Sequence, residues 1–160
     1  MKTLVLGLGN PLLSDDAVGL LVARELRARL GDRPDVDVDE DYHGGLRLME
    51  RMIGYGKGII VDAICTGDPP GKIHRLRGDT LPTQHSASAH DMSLQTALAF
   101  GRVEGADLPD TENILFFGIE AADVSTFSEQ CTPEVEAAIP RAVEAVMSVL
   151  EKGGTRDGVA

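Results

Sequence analysis

Thr3 to Leu8 is a short, unbroken apolar run, the pattern of a strand covered on both faces in a parallel sheet. A glycine-rich turn through Gly7, Gly9 and Asn10 follows, and then Val18, Leu21, Val22, Leu26 and Leu30 recur at helical spacing until Gly31 stops them. Ser14 and Asp15 stand where the helix begins, and Asp15 is expected to cap it. Asp35 to Glu40 alternates valines with carboxylates, which predicts a strand with one wetter face near a sheet edge. After the loop Asp41-Tyr42-His43-Gly44-Gly45, the residues Leu46, Met49, Met52 and Ile53 mark a short helix ended by Gly54 and Gly56.

The second half repeats the alternation. Ile59 to Ile64 is β-branched and apolar except for Asp62, and Lys72 to Leu76 has the alternating character of an edge or antiparallel strand. Arg77 to Ala89 is polar and small, a loop whose length in a compact domain is commonly tied to function. His90-Asp91 opens the next helical pattern, carrying Met92, Leu94, Ala97, Leu98 and Phe100 with Gly101 as its stop. Asn113 to Ile119 predicts the last strand, and Glu120 to Cys131 a second long loop. Thr132-Pro133-Glu134 then starts a helix with Thr at the N-cap and Pro at its first position, buried through Val135, Ile139, Ala142, Val146 and Val149 and interrupted by Pro140.

Strands alternating with helices predict an α/β fold: a three-layer α/β/α sandwich on a mostly parallel, five-stranded twisted sheet with helices on both faces. No linker divides the chain, so residues 1–152 are expected to be a single domain and residues 153–160 a disordered C-terminal tail.

Charge narrows the partners. The chain of 160 residues has a formal net charge of -11, and its longest basic cluster is His74-Arg75-Leu76-Arg77. Nucleic-acid binding needs clustered Lys and Arg to neutralise phosphate, so it is not expected. No apolar run reaches the roughly 20 residues that span a bilayer, and early glycines, Asn10 and Pro11 break any signal-peptide pattern. A cytoplasmic protein without membrane contact is expected. Cys65 and Cys131 form no paired motif, and two free thiols fit a reducing compartment. Cys65, just beyond the Asp62 strand, is also a candidate nucleophile.

Three polar residues fall at equivalent places: Asp16 after the first strand, Asp62 within the third, and His90 at the entrance of a later helix. In a doubly wound sheet all three lie along the edge where such folds place their ligands. Asp62 has a structural reading, as a helix cap or ion pair at the sheet edge, and a functional one as a site residue. Two carboxylates and an imidazole suit a borderline metal such as nickel, zinc, iron or manganese. The GLGN turn lacks the third glycine of a nucleotide loop, and acids stand where a phosphate would approach, so no nucleotide is expected. Of the remaining histidines, His74 reads as solvent-facing or structural and His85 as a loop residue. His43, between an acidic strand end and a glycine pair, is the stronger ligand candidate. Asp91 is either a helix-start acid or the group that orients His90.

The segments LGLGNPLLSDDAVG at Leu6 to Gly19, IIVDAI at Ile59 to Ile64, SAHDMSL at Ser88 to Leu94 and CTPEVEAAIP at Cys131 to Pro140 carry a resemblance over most of the chain. It resembles the hydrogenase maturation endopeptidases, which trim the C-terminal extension of the large subunit of nickel-iron hydrogenases. The resemblance implies that Asp16, Asp62 and His90 serve as metal-contacting and catalytic residues. It also implies that the nickel is carried by the substrate and contacted transiently, and that the partner is the hydrogenase large-subunit precursor. The family is often grouped with aspartic-type proteases, and either a carboxylate base or Lewis-acid polarisation by nickel would serve the hydrolysis. A monomer is expected. The alternative is a nickel-binding assembly chaperone that grips the same precursor without cutting it. Family members often carry Asp-x-Gly-Thr after the second strand, where this chain has Glu40-Asp41-Tyr42-His43-Gly44-Gly45, and many have Glu at the position of Asp16. LVLGLGNP at Leu4 to Pro11 also looks like the opening of peptidyl-tRNA hydrolase, but that family's catalytic histidine has no counterpart in Leu12 to Gly19, and the acidity opposes tRNA.

Overall fold

The computed structural model describes residues 1–42, 44–78 and 93–159, with side chains to residue 152. Five strands, β1 (Thr3–Leu8), β2 (Val36–Asp41), β3 (Lys57–Ile64), β4 (Ile73–Arg77) and β5 (Ile114–Glu120), form one sheet in the order β2-β1-β3-β5-β4. All neighbours are parallel except β4, which runs antiparallel along β5 at the edge. The alternating composition of β2 and β4 is thus explained by their places at the two edges, where one flank faces water.

Because successive strand residues point to opposite faces, the continuous apolar strands feed two cores. Val5, Ile59, Val61, Leu115, Phe117 and Ile119 pack against helices α1 (Val18–Leu30) and α4 (Pro133–Val159). Leu4, Leu6, Leu8, Ile60, Ile64, Ile114 and Phe116 pack against α2 (Gly45–Arg51) and α3 (Leu94–Val103). The expected three-layer α/β/α sandwich is the observed one. Full burial of each large aliphatic or aromatic side chain contributes roughly 1.5–3 kcal/mol, so both layers are held on by many residues rather than by one contact.

Three boundaries differ from the sequence expectation. Helix α3 starts at Leu94, because Ser93 takes the N-cap and its hydroxyl accepts the Thr96 N–H at 3.2 Å; His90 and Asp91 lie outside the described residues. Its stop is Gly105 rather than Gly101. Gly105 takes φ +85°, Ala106 N–H closes onto the Gly101 carbonyl at 2.9 Å, and Gly105 N–H onto that of Arg102 at 3.1 Å, a Schellman ending. Gly101 is instead buried where α3 meets Met49 and Leu108, whose side-chain ends would have to shift to admit a Cβ. Finally, the backbone of α4 stays helical to Val159, past Gly153 where a disordered tail was expected. Propagating a helix already docked through Val135, Val146 and Leu150 adds a hydrogen bond per residue, and Gly153 and Gly154 weaken that gain without stopping it.

β3 is therefore the central strand, and its carboxyl end, flanked by those of β1 and β5, faces the turn after β1 and the loop after β5. That edge is where the sequence places its acids.

Candidate active site

The turn after β1 is built by close backbone approach. A Cβ on Gly9, whose φ is +150°, would fall 1.9 Å from the Asp16 carbonyl oxygen. A Cβ on Gly19 would fall 2.3 Å from the Val61 carbonyl and 2.4 Å from that of Leu8. Only glycine at these two positions lets the start of α1 lie directly on β1 and β3. The short 3-10 turn Ser14–Ala17 that precedes α1 is thereby pressed over the end of the central strand.

The two adjacent acids in this turn have different tasks. Asp15 is fully buried and does not cap α1, whose N-cap is Ala17 without a side-chain bond. Its carboxylate accepts the N–H groups of Ala122 at 2.9 Å, Asp123 at 3.0 Å and Thr132 at 2.7 Å, together with the Thr132 hydroxyl at 2.8 Å. The expected helix cap is a clamp between the turn, the loop after β5 and the start of α4. Ser14, the non-glycine residue with positive φ (+46°) among the described residues, is held in that conformation by its own N–H to the Ser128 carbonyl at 2.9 Å and its hydroxyl to the Gln130 carbonyl at 3.1 Å.

Asp16 is half-buried, and its carboxylate accepts the Asn10 N–H at 2.9 Å. Asn10 in turn uses its side-chain oxygen to accept the Leu12 N–H at 2.9 Å, which fixes the turn that presents that donor. Burial raises the Asp16 pKa above the usual carboxylate range, and the Asn10 hydrogen bond partly offsets it. Asp62 is buried within β3, opposite Gly118 of β5, and accepts the N–H of Ala63 at 2.8 Å. Burial, then the negative charge of Asp16, push its pKa up to about 8. Among the described residues neither acid forms an ion pair with Lys, Arg or His. Two carboxyl groups on one sheet edge repel each other, and a divalent ion bound between them would relieve that repulsion.

The third sequence candidate, His90, lies outside the described residues, as do His43, His85 and Asp91. His74 is described and has the structural role. It sits on β4 opposite Gly118, so that Asp62, Gly118 and His74 form one row across three strands. Its Nε2 lies 3.2 Å from Glu120 and 3.4 Å from Asp68.

Sequence reasoning missed Glu120, which it assigned to a loop. Glu120 ends β5 almost fully buried, accepting the Thr66 N–H at 2.8 Å and the Thr66 hydroxyl as well as facing His74. The only signal for it was an acid directly after an apolar run. Asp68, His74 and Glu120 bring three potential ligand atoms within 4.8 Å of one another. Lys72, 3.1 Å from Asp68, already supplies a positive charge there, and the group serves to fasten the loop between β3 and β4. The exposed Cys65 lies in the field of this edge: burial, then Glu120, Asp16, Asp15 and Asp62, raise its pKa and oppose the thiolate a nucleophile needs.

Comparisons with known proteins place the chain by its sequence and its fold. A model of the family described as hydrogenase maturation protease matches residues 20–149, a span that includes Asp62 and begins just after Asp16. The chain is 30% identical over 157 residues to the hydrogenase 2 maturation protease of Escherichia coli K12, covering 96% of this chain and 93% of that one. It is 27% identical over 156 residues to the hydrogenase expression/formation protein HupD of Thiocapsa roseopersicina, covering 96% and 69%. Among solved structures, the hydrogenase maturating endopeptidase HybD from E. coli superposes with a TM-score of 0.80 at 28% identity, over 96% of this chain and 94% of that one. The [NiFe] hydrogenase maturation protease HycI from Thermococcus kodakarensis KOD1 shares the fold, with a TM-score of 0.71 at 21% identity over 94% and 92%.

Proposed function

The chain belongs to the hydrogenase maturation protease family and is a peptidase, and from that premise we propose that it removes the C-terminal extension of a nickel-iron hydrogenase large-subunit precursor once nickel has been loaded. The observation that carries this reading is the pair Asp16 and Asp62: two carboxyl groups at the carboxyl edge of the central strands, both driven upward in pKa by burial, and neither ion-paired to a Lys, Arg or His among the described residues. A site built this way gains most from a substrate that brings its own dication. Asp16, Asp62 and His90 contact that nickel, and an oxygen-plus-imidazole donor set suits such an ion. The nickel is cargo of the precursor, not a resident cofactor, and no nucleotide takes part.

Recognition comes first and hydrolysis follows from it. A precursor without nickel leaves the carboxyl pair uncompensated and is held weakly, whereas a loaded precursor places its scissile bond beside the same edge. Water is then activated by one of the two carboxylates within reach of the carbonyl, and the nickel polarises that carbonyl as a Lewis acid. The fit with an aspartic-type peptidase is that both acids come from separate elements and meet across a strand end.

No helix among the described residues is long and apolar enough to cross a membrane. We assign the protein to the cytoplasm as a monomer, in keeping with its two free cysteines.

The test is to mix the purified protein with nickel-loaded and nickel-free large-subunit precursor and weigh the products by mass spectrometry. Loss of a C-terminal peptide from the loaded form alone is the expected result. An intact complex with the loaded precursor would instead make the protein an assembly chaperone.

A further inference from the structure

Beside the two acids the chain holds an apolar surface that the cleavage chemistry does not use. Ser128 N–H donates to the Leu12 carbonyl at 2.9 Å and Ser14 N–H to the Ser128 carbonyl at 2.9 Å, a single parallel bridge between Leu13 and Ser128. Leu12 and Phe127 are the residues that directly precede this bridge on its two segments. Both are exposed, Leu12 at 52% and Phe127 at 83%. Scattered apolar residues on a surface need no explanation, but neighbouring large ones mark contact sites.

This pair also stands on a fixed base. The turn that carries Leu12 and the loop that carries Phe127 are tied by the bridge, by the Ser14 hydroxyl on the Gln130 carbonyl at 3.1 Å, and by the buried Asp15 carboxylate gripping Ala122, Asp123 and Thr132. Asp16 lies four positions after Leu12, in the 3-10 turn Ser14–Ala17 that follows it, so Leu12 and the site acid sit on adjoining parts of the same hydrogen-bonded segment. Large apolar groups held outward on a pre-ordered base lose little entropy when a partner covers them. The chain that follows β5 has one sign: Ala121 to Pro140 contains Asp123, Glu129, Glu134 and Glu136 and neither Lys nor Arg.

We propose that Leu12 and Phe127 seat the segment of the precursor that flanks the scissile bond, an extended apolar stretch with positive charge beside it. The proposal rests on the cleavage reading above and deepens it. Apolar contact with the pair holds the segment against the turn, the acids of the following loop attract its charge, and the scissile bond is delivered to Asp16 and Asp62 in register with the nickel. A second copy of this chain is the less fitting occupant, since its net charge of -11 would repel the same acidic loop.

The experiment uses the full chain and nickel-loaded precursor. Leu12→Ser, Phe127→Ser and the double variant are compared with wild type for KM and kcat. Val103→Ser, at an equally exposed apolar residue (84%) on the end of α3, serves as the control. The double variant should melt at the wild-type temperature and raise KM about tenfold with kcat within about twofold, the signature of lost ground-state binding, while the control changes neither. A photo-cross-linking p-benzoylphenylalanine at position 127 should label the C-terminal region of the precursor. An unchanged KM in the double variant, or a cross-link to another copy of this chain or to a distant part of the precursor, overturns the docking proposal alone if wild type cleaves. A wild-type protein that leaves the loaded precursor uncut overturns the docking proposal and the cleavage reading together.

Discussion

Asp15 closes onto Thr132, 117 positions further along the chain, accepting its N–H at 2.7 Å and its hydroxyl at 2.8 Å inside a fully buried pocket. A buried carboxylate is tolerated only when its lone pairs are filled, and here three backbone N–H groups and one hydroxyl fill them. Asp15→Ala would leave those donors without a partner, at about 1–3 kcal/mol for each that water does not reach. We expect a loss on the order of 3 kcal/mol or more by urea denaturation, against about 1 kcal/mol for Thr132→Val. The double variant should lose less than the sum, because both single changes break the same interaction. Strict additivity would show that the two residues are not coupled.

The close approach at Gly19 makes a second, separate prediction. A Cβ there would lie 2.3 Å from the Val61 carbonyl and 2.4 Å from that of Leu8, both backbone atoms of buried strands that have nowhere to move. Gly19→Ala should therefore cost about 3 kcal/mol or more, at the upper end for overpacking. Gly31 at the end of α1 is the contrast, with φ +56° and nothing within 4 Å of the added carbon. Gly31→Ala meets no clash and should cost only the backbone strain of a glycine-type conformation (φ +56°, ψ -130°), about 1–3 kcal/mol. Thermal melts of the two variants side by side measure the difference, and equal losses would mean that α1 does not sit on the strands as described.

Both predictions turn on contacts that differ in how visible they were beforehand. The five strands were legible because apolar continuity in β1, β3 and β5 and alternation in β2 and β4 are local properties that burial enforces. Asp16 and Asp62 were legible as candidates because each is an acid placed where a strand meets the ligand edge. Asp15 was misread as a cap because its partners Ala122, Asp123 and Thr132 lie more than a hundred positions away, while the adjacent helix start offered a local explanation. Glu120 escaped for the same reason. Its burial is compensated by Thr66 and His74, which only the β3-β5-β4 neighbourhood brings to it. Local pattern specifies elements; the satisfaction of buried charge is a property of the assembled sheet.

Asp62 should make the protein less stable as the pH rises. Its carboxyl is held up to about 8 in the folded chain by burial and by Asp16, against a reference value of 3.8 when unfolded. Below about pH 4 both states carry the proton and the residue costs nothing. Between about pH 4 and pH 8 unfolding releases that proton, so the folded state grows progressively less stable, and above about pH 8 it bears a buried charge. Asp62→Asn keeps the shape and removes the charge. Its stability gain over wild type should grow from near zero at about pH 4 to on the order of a few kcal/mol at about pH 8, while precursor processing is lost. Melting curves across that range check the first half and mass spectrometry the second. A gain independent of pH would show that the Asp62 carboxyl is not raised.

Asp16 separates ligand type from ligand reach. Asp16→Ala removes an exposed-edge carboxylate whose one hydrogen bond in the described structure is the Asn10 N–H at 2.9 Å, a donor that water can satisfy at the half-buried turn. Folding should persist within about 1 kcal/mol, because the clamp on this turn is Asp15 and not Asp16. Processing of nickel-loaded precursor should nevertheless disappear. Asp16→Glu lengthens the reach by one methylene and keeps an oxygen ligand, so it should retain cleavage with a changed rate, whereas Asp16→Asn keeps the length and discards the charge and should not. Circular dichroism establishes that each variant is folded, and the mass of the precursor reports cleavage. The order Asp, then Glu, with Asn and Ala inactive, is what a metal-contacting carboxylate requires. An active Asp16→Asn would reduce the residue to a hydrogen-bonding part of the turn and remove it from the site.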